Sequence, residues 1–262
     1  TLLGRSVRLV EELIEGKIVD RDFREEFLTY WFYGSDGDAP RVYSLVRPGP
    51  PSRPIRLWRE GDGLVIVADD DDDEFQRWLR NFRGEPKRKS FPTEAAAFLW
   101  LSQAPVPSEY PVSGADLAAV AERAEGDAAS VLIETAAALP EDVLVLIGAE
   151  GRGGPGLVAV TTTSGRRNRS RSGRIERPLT KGFRGSAMPA DVAAARTYGA
   201  ARLLRSNVQR ADAEWIHGRG KDQRTALLLK RTVTIIGCGS VGSSVAARLA
   251  RAGVGRLRLY DH

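Results

Sequence analysis

Three glycines near the end of this 262-residue chain have the spacing of a phosphate-binding turn. They stand in Val233-Thr234-Ile235-Ile236-Gly237-Cys238-Gly239-Ser240-Val241-Gly242, where Gly237, Gly239 and Gly242 spell G-x-G-x-x-G directly after a run of β-branched residues. In such a turn one glycine lets the chain reverse, the next lets the backbone approach a phosphate, and the third lets the following helix lie close on the strand. Ser240–Ala252 reads as that helix, with its free N–H groups and positive dipole end aimed at the same place. Gly253 stops it, and Arg256–Tyr260 reads as the next strand. Asp261 follows at that strand's C-terminal edge, about 20 residues beyond the glycines, where a carboxylate can hold a ribose hydroxyl. Gly237, Gly239, Ser240, Gly242 and Asp261 are therefore the candidate nucleotide-binding residues, weighed against a purely structural glycine turn. The spacing alone fits NAD as well as ATP.

The other reactive side chains carry less. Cys238 is tempting as a nucleophile, but a thiolate in a loop that must lie against phosphates would repel the ligand. His217 and His262 have no serine or cysteine at the spacing of a hydrolytic triad. The five consecutive aspartates Asp69–Asp73 and Glu74 lack the turn pattern of a calcium loop. They read as the solvated start of a helix over Phe75–Phe82, opposing its dipole. The segment Ser164–Gly185 holds seven arginines, at 166, 167, 169, 171, 174, 177 and 184, with Phe183 as its one aromatic residue. That composition favours an exposed loop over a nucleic-acid arm.

The elements that position these groups follow from periodicity. Leu2–Ile14 and Asp22–Phe32 read as helices. Arg41–Arg47, Ile55–Glu60 and Leu64–Ala68 read as a short antiparallel meander, turned at Pro48–Pro54 and at Gly61-Asp62-Gly63. Helices are expected over Thr93–Leu101, Gly114–Arg123, Ala128–Ala138 and Ala190–Leu204, and strands over Val143–Ile147 and Leu157–Thr162 with a flexible loop, Gly151–Gly156, between them. Prolines 105, 107 and 111 mark a boundary. The resulting class is α/β: an α+β N-terminal part with a short antiparallel meander, and a Rossmann-like βαβ start at the C-terminal end. The expected domains are 1–105, 106–206 (a second subdomain or an extension carrying the basic loop) and 207–262. A single βαβ unit cannot bury both faces of its sheet, so 207–262 reads as the truncated start of a larger domain. The net charge of +5 is a mild bias that permits anionic ligands without selecting one. No stretch of about 18 apolar residues is present, so no spanning helix is expected. A single cysteine fits a reducing cytoplasm.

Read at full length, the stretch from Leu229-Lys230-Arg231-Thr232 through the glycines to Leu249-Ala250-Arg251-Ala252-Gly253-Val254-Gly255-Arg256-Leu257-Arg258-Leu259-Tyr260-Asp261 resembles the opening of ThiF-type, ubiquitin-activating-like adenylating enzymes. The resemblance implies ATP with its phosphates over Gly237–Gly242 and its ribose on Asp261. It implies Mg2+, with the magnesium ligand beyond His262, and adenylation of the C-terminal carboxylate of a ubiquitin-like protein or sulfur carrier. It further implies a separate conjugating enzyme, a homodimer formed through the adenylation domain, a cytoplasmic location and, for bacterial members, operons associated with antiphage defence. The lead-in Asp212-Ala213-Glu214-Trp215-Ile216-His217-Gly218-Arg219-Gly220 also looks like bacterial members, and Arg219 is the candidate for an arginine that reaches the ATP phosphates. The family's downstream Asn, Arg, Lys and metal-binding Asp would lie beyond His262, so the chain as given should not complete adenylation alone. Such proteins often carry an N-terminal domain similar to the ubiquitin-conjugating fold. Residues 1–105 look compatible with it, yet no cysteine occurs before Cys238, so such a domain would be a non-catalytic docking module. The competing readings are an NAD-dependent oxidoreductase and a purely non-catalytic interaction module.

Overall fold

A computed structural model gives the structure of residues 7, 10–12, 14, 17–61, 63–86, 89–138, 143–163, 198–199, 201–217 and 227–261. The chain forms two compact units, Thr1–Gln209 and Arg210–His262. Its mixture of helices and strands places it in the α/β class. The expected helix Leu2–Ile14, the arginine-rich segment and Arg219 lie wholly or mostly outside the described residues. Among those described, no helix is long and apolar enough to cross a membrane.

The first unit is a closed seven-stranded barrel with helices around it. Its elements are α1 (Lys17–Glu25), α2 (Phe27–Tyr33), β1 (Arg41–Ser44), β2 (Arg53–Glu60), β3 (Leu64–Asp69), α3 (Asp72–Arg83), β4 (Glu94–Leu101), a 3-10 turn (Pro107–Glu109), α4 (Gly114–Glu122), α5 (Ala128–Ala138), β5 (Leu144–Gly151), β6 (Gly154–Thr163) and β7 (Arg202–Arg210). The strand order is β1-β3-β2-β4-β5-β6-β7. The strands contributed by residues 41–101 and by 144–210 thus share one sheet, joined where β4 pairs in parallel with β5.

Several expectations are corrected. Thr93–Leu101 is a strand, not a helix: Glu94-Ala95-Ala96-Ala97-Phe98-Leu99-Trp100-Leu101 is a central member whose last six residues are all buried. Alanine favours helix locally, but a continuous apolar run of this length also fits a strand covered on both faces. That tertiary burial decides. The strand Arg41–Ser44 runs parallel to β3, Val42 opposite Val65, rather than forming the first arm of a meander. Strands β2 and β3 do form the expected antiparallel hairpin. With two parallel pairings in its sheet, the barrel does not support the expected likeness of residues 1–105 to a ubiquitin-conjugating domain. Asp22–Phe32 is broken at Glu26 into α1 and α2. Gly151–Gly156 is a tight hairpin, with Gly151 opposite Gly154. Arg202–Leu204, expected as the end of a helix, open β7.

The acidic run does what the dipole argument requires. The Asp71 carboxylate accepts the Glu74 N–H at 2.9 Å and caps α3, with Asp72, Asp73 and Glu74 in the first turn. Helix α4 begins with a reciprocal cap between Ser113 and Asp116. Hydrogen bonds from the Ser113 hydroxyl and from the Val112 and Ser113 N–H groups hold the Asp116 carboxyl below its ordinary value. The folded state therefore favours the carboxylate. This contribution is fully present above the unfolded value of about 3.9 and is lost as pH falls through the lower folded value. Asp116→Asn should lower the urea-unfolding midpoint at neutral pH, where the contribution is present, more than in strong acid, where it is already lost, so the acid limb of the midpoint plotted against pH flattens.

Helix α2 is tied to β7. Trp31 is fully buried, donates its indole N–H to the Ser206 carbonyl at 3.0 Å, and meets Tyr110 edge-on at 4.9 Å. Burial pushes the Tyr110 phenol up to about 12, so it stays a neutral donor to the Phe27 carbonyl. Asp36 accepts the Arg205 N–H at 2.8 Å and donates its own N–H to the Arg205 carbonyl at 3.0 Å.

Candidate functional site

The second unit contains α6 (Ala213–His217), β8 (Thr232–Ile236), α7 (Ser240–Arg251) and β9 (Arg256–Tyr260). Strands β8 and β9 pair in parallel, with Thr234 opposite Arg258 and Ile236 opposite Tyr260. Parallel neighbours require a crossover, and α7 supplies it. The expected strand–loop–helix–strand is present, and α7 starts at Ser240 as read from the sequence.

Each glycine of the turn has a distinct geometric task. Gly237 sits at φ +87°, a conformation that side-chain-bearing residues rarely adopt. A Cβ on Gly242 would lie 1.8 Å from the Gly237 carbonyl oxygen, so the helix touches the loop with no room for a side chain. Gly239 is the opposite case: a Cβ there would meet nothing within 4 Å. It is the residue preceding the helix, and no side chain caps the N–H groups that follow it. Those first N–H groups have no intrahelical acceptor, so α7 presents an uncapped, positive end across an open space beside Gly239.

Hydroxyls around the turn divide into used and unused. Ser243 Oγ donates to the Gly239 carbonyl and Ser244 Oγ to the Ser240 carbonyl, both at 2.8 Å. The Ser240 hydroxyl is exposed at the helix start. Asp261 reaches back to the loop: its Oδ1 accepts the Cys238 N–H at 3.0 Å. The neighbouring Gly237 N–H donates to the Tyr260 carbonyl at 2.8 Å. The structure thus brings Gly237, Gly239, Ser240, Gly242 and Asp261 around one turn. The arrangement offers backbone donors and a helix dipole to an anion, with a carboxylate at the adjoining strand end.

Residues 216–262 match the ThiF family. The match covers the whole glycine turn, α7, β9 and Asp261, and it begins inside α6. No curated protein matches the chain. The ThiF match supports an adenylating enzyme at the level of the family, which generally uses ATP and Mg2+. Among the described residues, no group of three or more His, Cys, Asp or Glu side chains could hold a metal ion.

Sequence reasoning missed two features of this unit. One is the link from Asp261 to the Cys238 N–H, which no spacing rule announces. The other is the support of the ThiF lead-in: Asp212 is buried, accepts from Arg210 Nε at 2.8 Å and caps α6 through the Trp215 N–H at 3.0 Å. The Arg210 guanidinium also lies 4.7 Å from the Trp215 ring centre. An aspartate three residues before an apolar helical residue was the available signal. In the first unit, an open cleft of about 720 Å³ is lined by Arg21, Arg24, Glu25 and Arg152 among others. Its charges are mixed, and Arg24 is already committed to the Ala104 carbonyl and Glu109, so the cleft is a weaker candidate than the glycine turn.

Proposed function

We propose that the second unit binds ATP, with its phosphates over Gly237–Gly242 and its ribose on Asp261. The observation that carries this reading is the uncapped start of α7 behind an open Gly239, inside the segment that matches the ThiF family. Unpaired N–H groups and the helix dipole stabilise the phosphate chain, and the Ser240 hydroxyl adds a donor at the first turn. The chemistry is adenylation: a carboxylate oxygen attacks the α-phosphorus of ATP and pyrophosphate leaves. By family likeness, the carboxylate is the C-terminus of a ubiquitin-like protein. Mg2+ would neutralise the departing pyrophosphate, and its ligands are not found among the residues described here. Arg219 is proposed as a further phosphate contact. A homodimer, a separate conjugating enzyme, a cytoplasmic setting and a role in antiphage defence belong to the same reading. The barrel would serve as the partner-docking module.

The test is a competition of nucleotides on the full chain. ATP with Mg2+ should bind and raise the unfolding temperature of the second unit, while NADH should do neither. Tight NADH binding without an ATP response would instead favour the hydride-transfer reading. In a protein that also carries the family's downstream residues, exchange of labelled pyrophosphate into ATP, stimulated by a ubiquitin-like protein, reads the chemical step.

A further inference from the structure

We infer that Asp261 is a latch for the glycine loop as well as a sugar ligand, its two carboxylate oxygens divided between the two tasks. The inference deepens the ATP reading above and rests on it for the sugar half only.

Two consecutive amides of the loop are tied to the end of β9. The Gly237 N–H donates to the Tyr260 carbonyl and the Cys238 N–H donates to Asp261 Oδ1, at 2.8 and 3.0 Å. The first bond is backbone to backbone and independent of sequence. The second depends on a side-chain acceptor at position 261, and a carboxylate accepting an N–H makes a charge-assisted bond, about twice as strong as a neutral one. This bond fixes the Gly237–Cys238 peptide, one peptide before Gly239, the residue whose open side faces the proposed phosphate position. Asp261 is exposed. Its second oxygen, Oδ2, has no partner among the described residues, which leaves it for a ribose hydroxyl. One side chain thereby sets the loop before the ligand arrives and grips the ligand afterwards.

The arrangement separates the two tasks experimentally, because asparagine keeps an acceptor oxygen and alanine does not. The probes are ATP and inorganic tripolyphosphate, which has the anionic chain but no sugar, each with Mg2+ and the full chain. Asp261→Asn should keep the Cys238 amide protected from hydrogen exchange, hold tripolyphosphate affinity and weaken ATP. Asp261→Ala should expose the Cys238 amide and bind tripolyphosphate roughly fivefold more weakly than the asparagine variant, the effect of losing one such hydrogen bond. Both variants remove the same negative charge, so the difference between them isolates the latch. Equal tripolyphosphate affinity and equal Cys238 protection in the two variants would overturn the proposal. If the unaltered chain binds neither ATP nor tripolyphosphate, the ATP reading fails, and the amide-exchange comparison still decides whether the latch exists.

Discussion

Gly239→Val is expected to abolish ATP binding while leaving the fold intact. The site is unusual in tolerating the side chain sterically: a Cβ would meet nothing within 4 Å, and the backbone at φ −62° is ordinary for any residue. Stability should therefore change by no more than about 0.5 kcal/mol, as for an exposed position. The valine would instead fill the space in which a phosphate must sit to reach the uncapped amides. Hydrogen bonds to charged groups are worth about 1.5–3 kcal/mol each. Losing two of them lowers affinity on the order of 100-fold or more. Titration calorimetry with ATP and Mg2+, paired with a urea melt, measures both halves of the expectation. An unchanged affinity would move the phosphate elsewhere. The contrast is Gly242, where a Cβ would meet the Gly237 carbonyl at 1.8 Å and the fold of the unit itself should suffer.

The second large effect is expected in the barrel. Trp31→Ala should destabilise the first unit by about 3–5 kcal/mol, the usual range for deleting a buried aromatic side chain. The loss combines a cavity beside Tyr110 with the indole hydrogen bond to the Ser206 carbonyl. Trp31→Phe keeps most of the ring and loses only the indole N–H, so it should cost about 0.5–1.5 kcal/mol, the net contribution of one hydrogen bond. Urea midpoints of the two variants give the partition. Near-equal losses would mean that the hydrogen bond, rather than the packing, holds α2 to β7.

These two residues differ in how visible they are from sequence. The glycine turn was legible because its constraints are local: positive φ at Gly237, close approach at Gly242 and a helix start at Ser240 all act within six positions. The acidic start of α3 was legible for the same reason, since Asp72, Asp73 and Glu74 act on the dipole within one turn. What stayed hidden is long-range. Nothing near Glu94–Leu101 distinguishes a buried strand from an alanine-rich helix, because the deciding neighbours are Arg53–Leu57 and Val145–Ala149. Likewise β1 reads as the first arm of a meander until its parallel partner β3 is known. The role of Asp261 was half legible: its place at a strand edge suggested a sugar, while its bond to Cys238, 23 positions away, was not readable.

The seam between α2 and β7 has a consequence for the timing of folding. Trp31 and Ser206 are 175 positions apart, and Asp36 and Arg205 are 169 apart. Contacts of such separation are slow to form, because the intervening chain must surrender its freedom before they are rewarded. On the ribosome, Trp31 can meet Tyr110 early, but its indole N–H must wait for β7 to emerge before the Ser206 carbonyl can accept it.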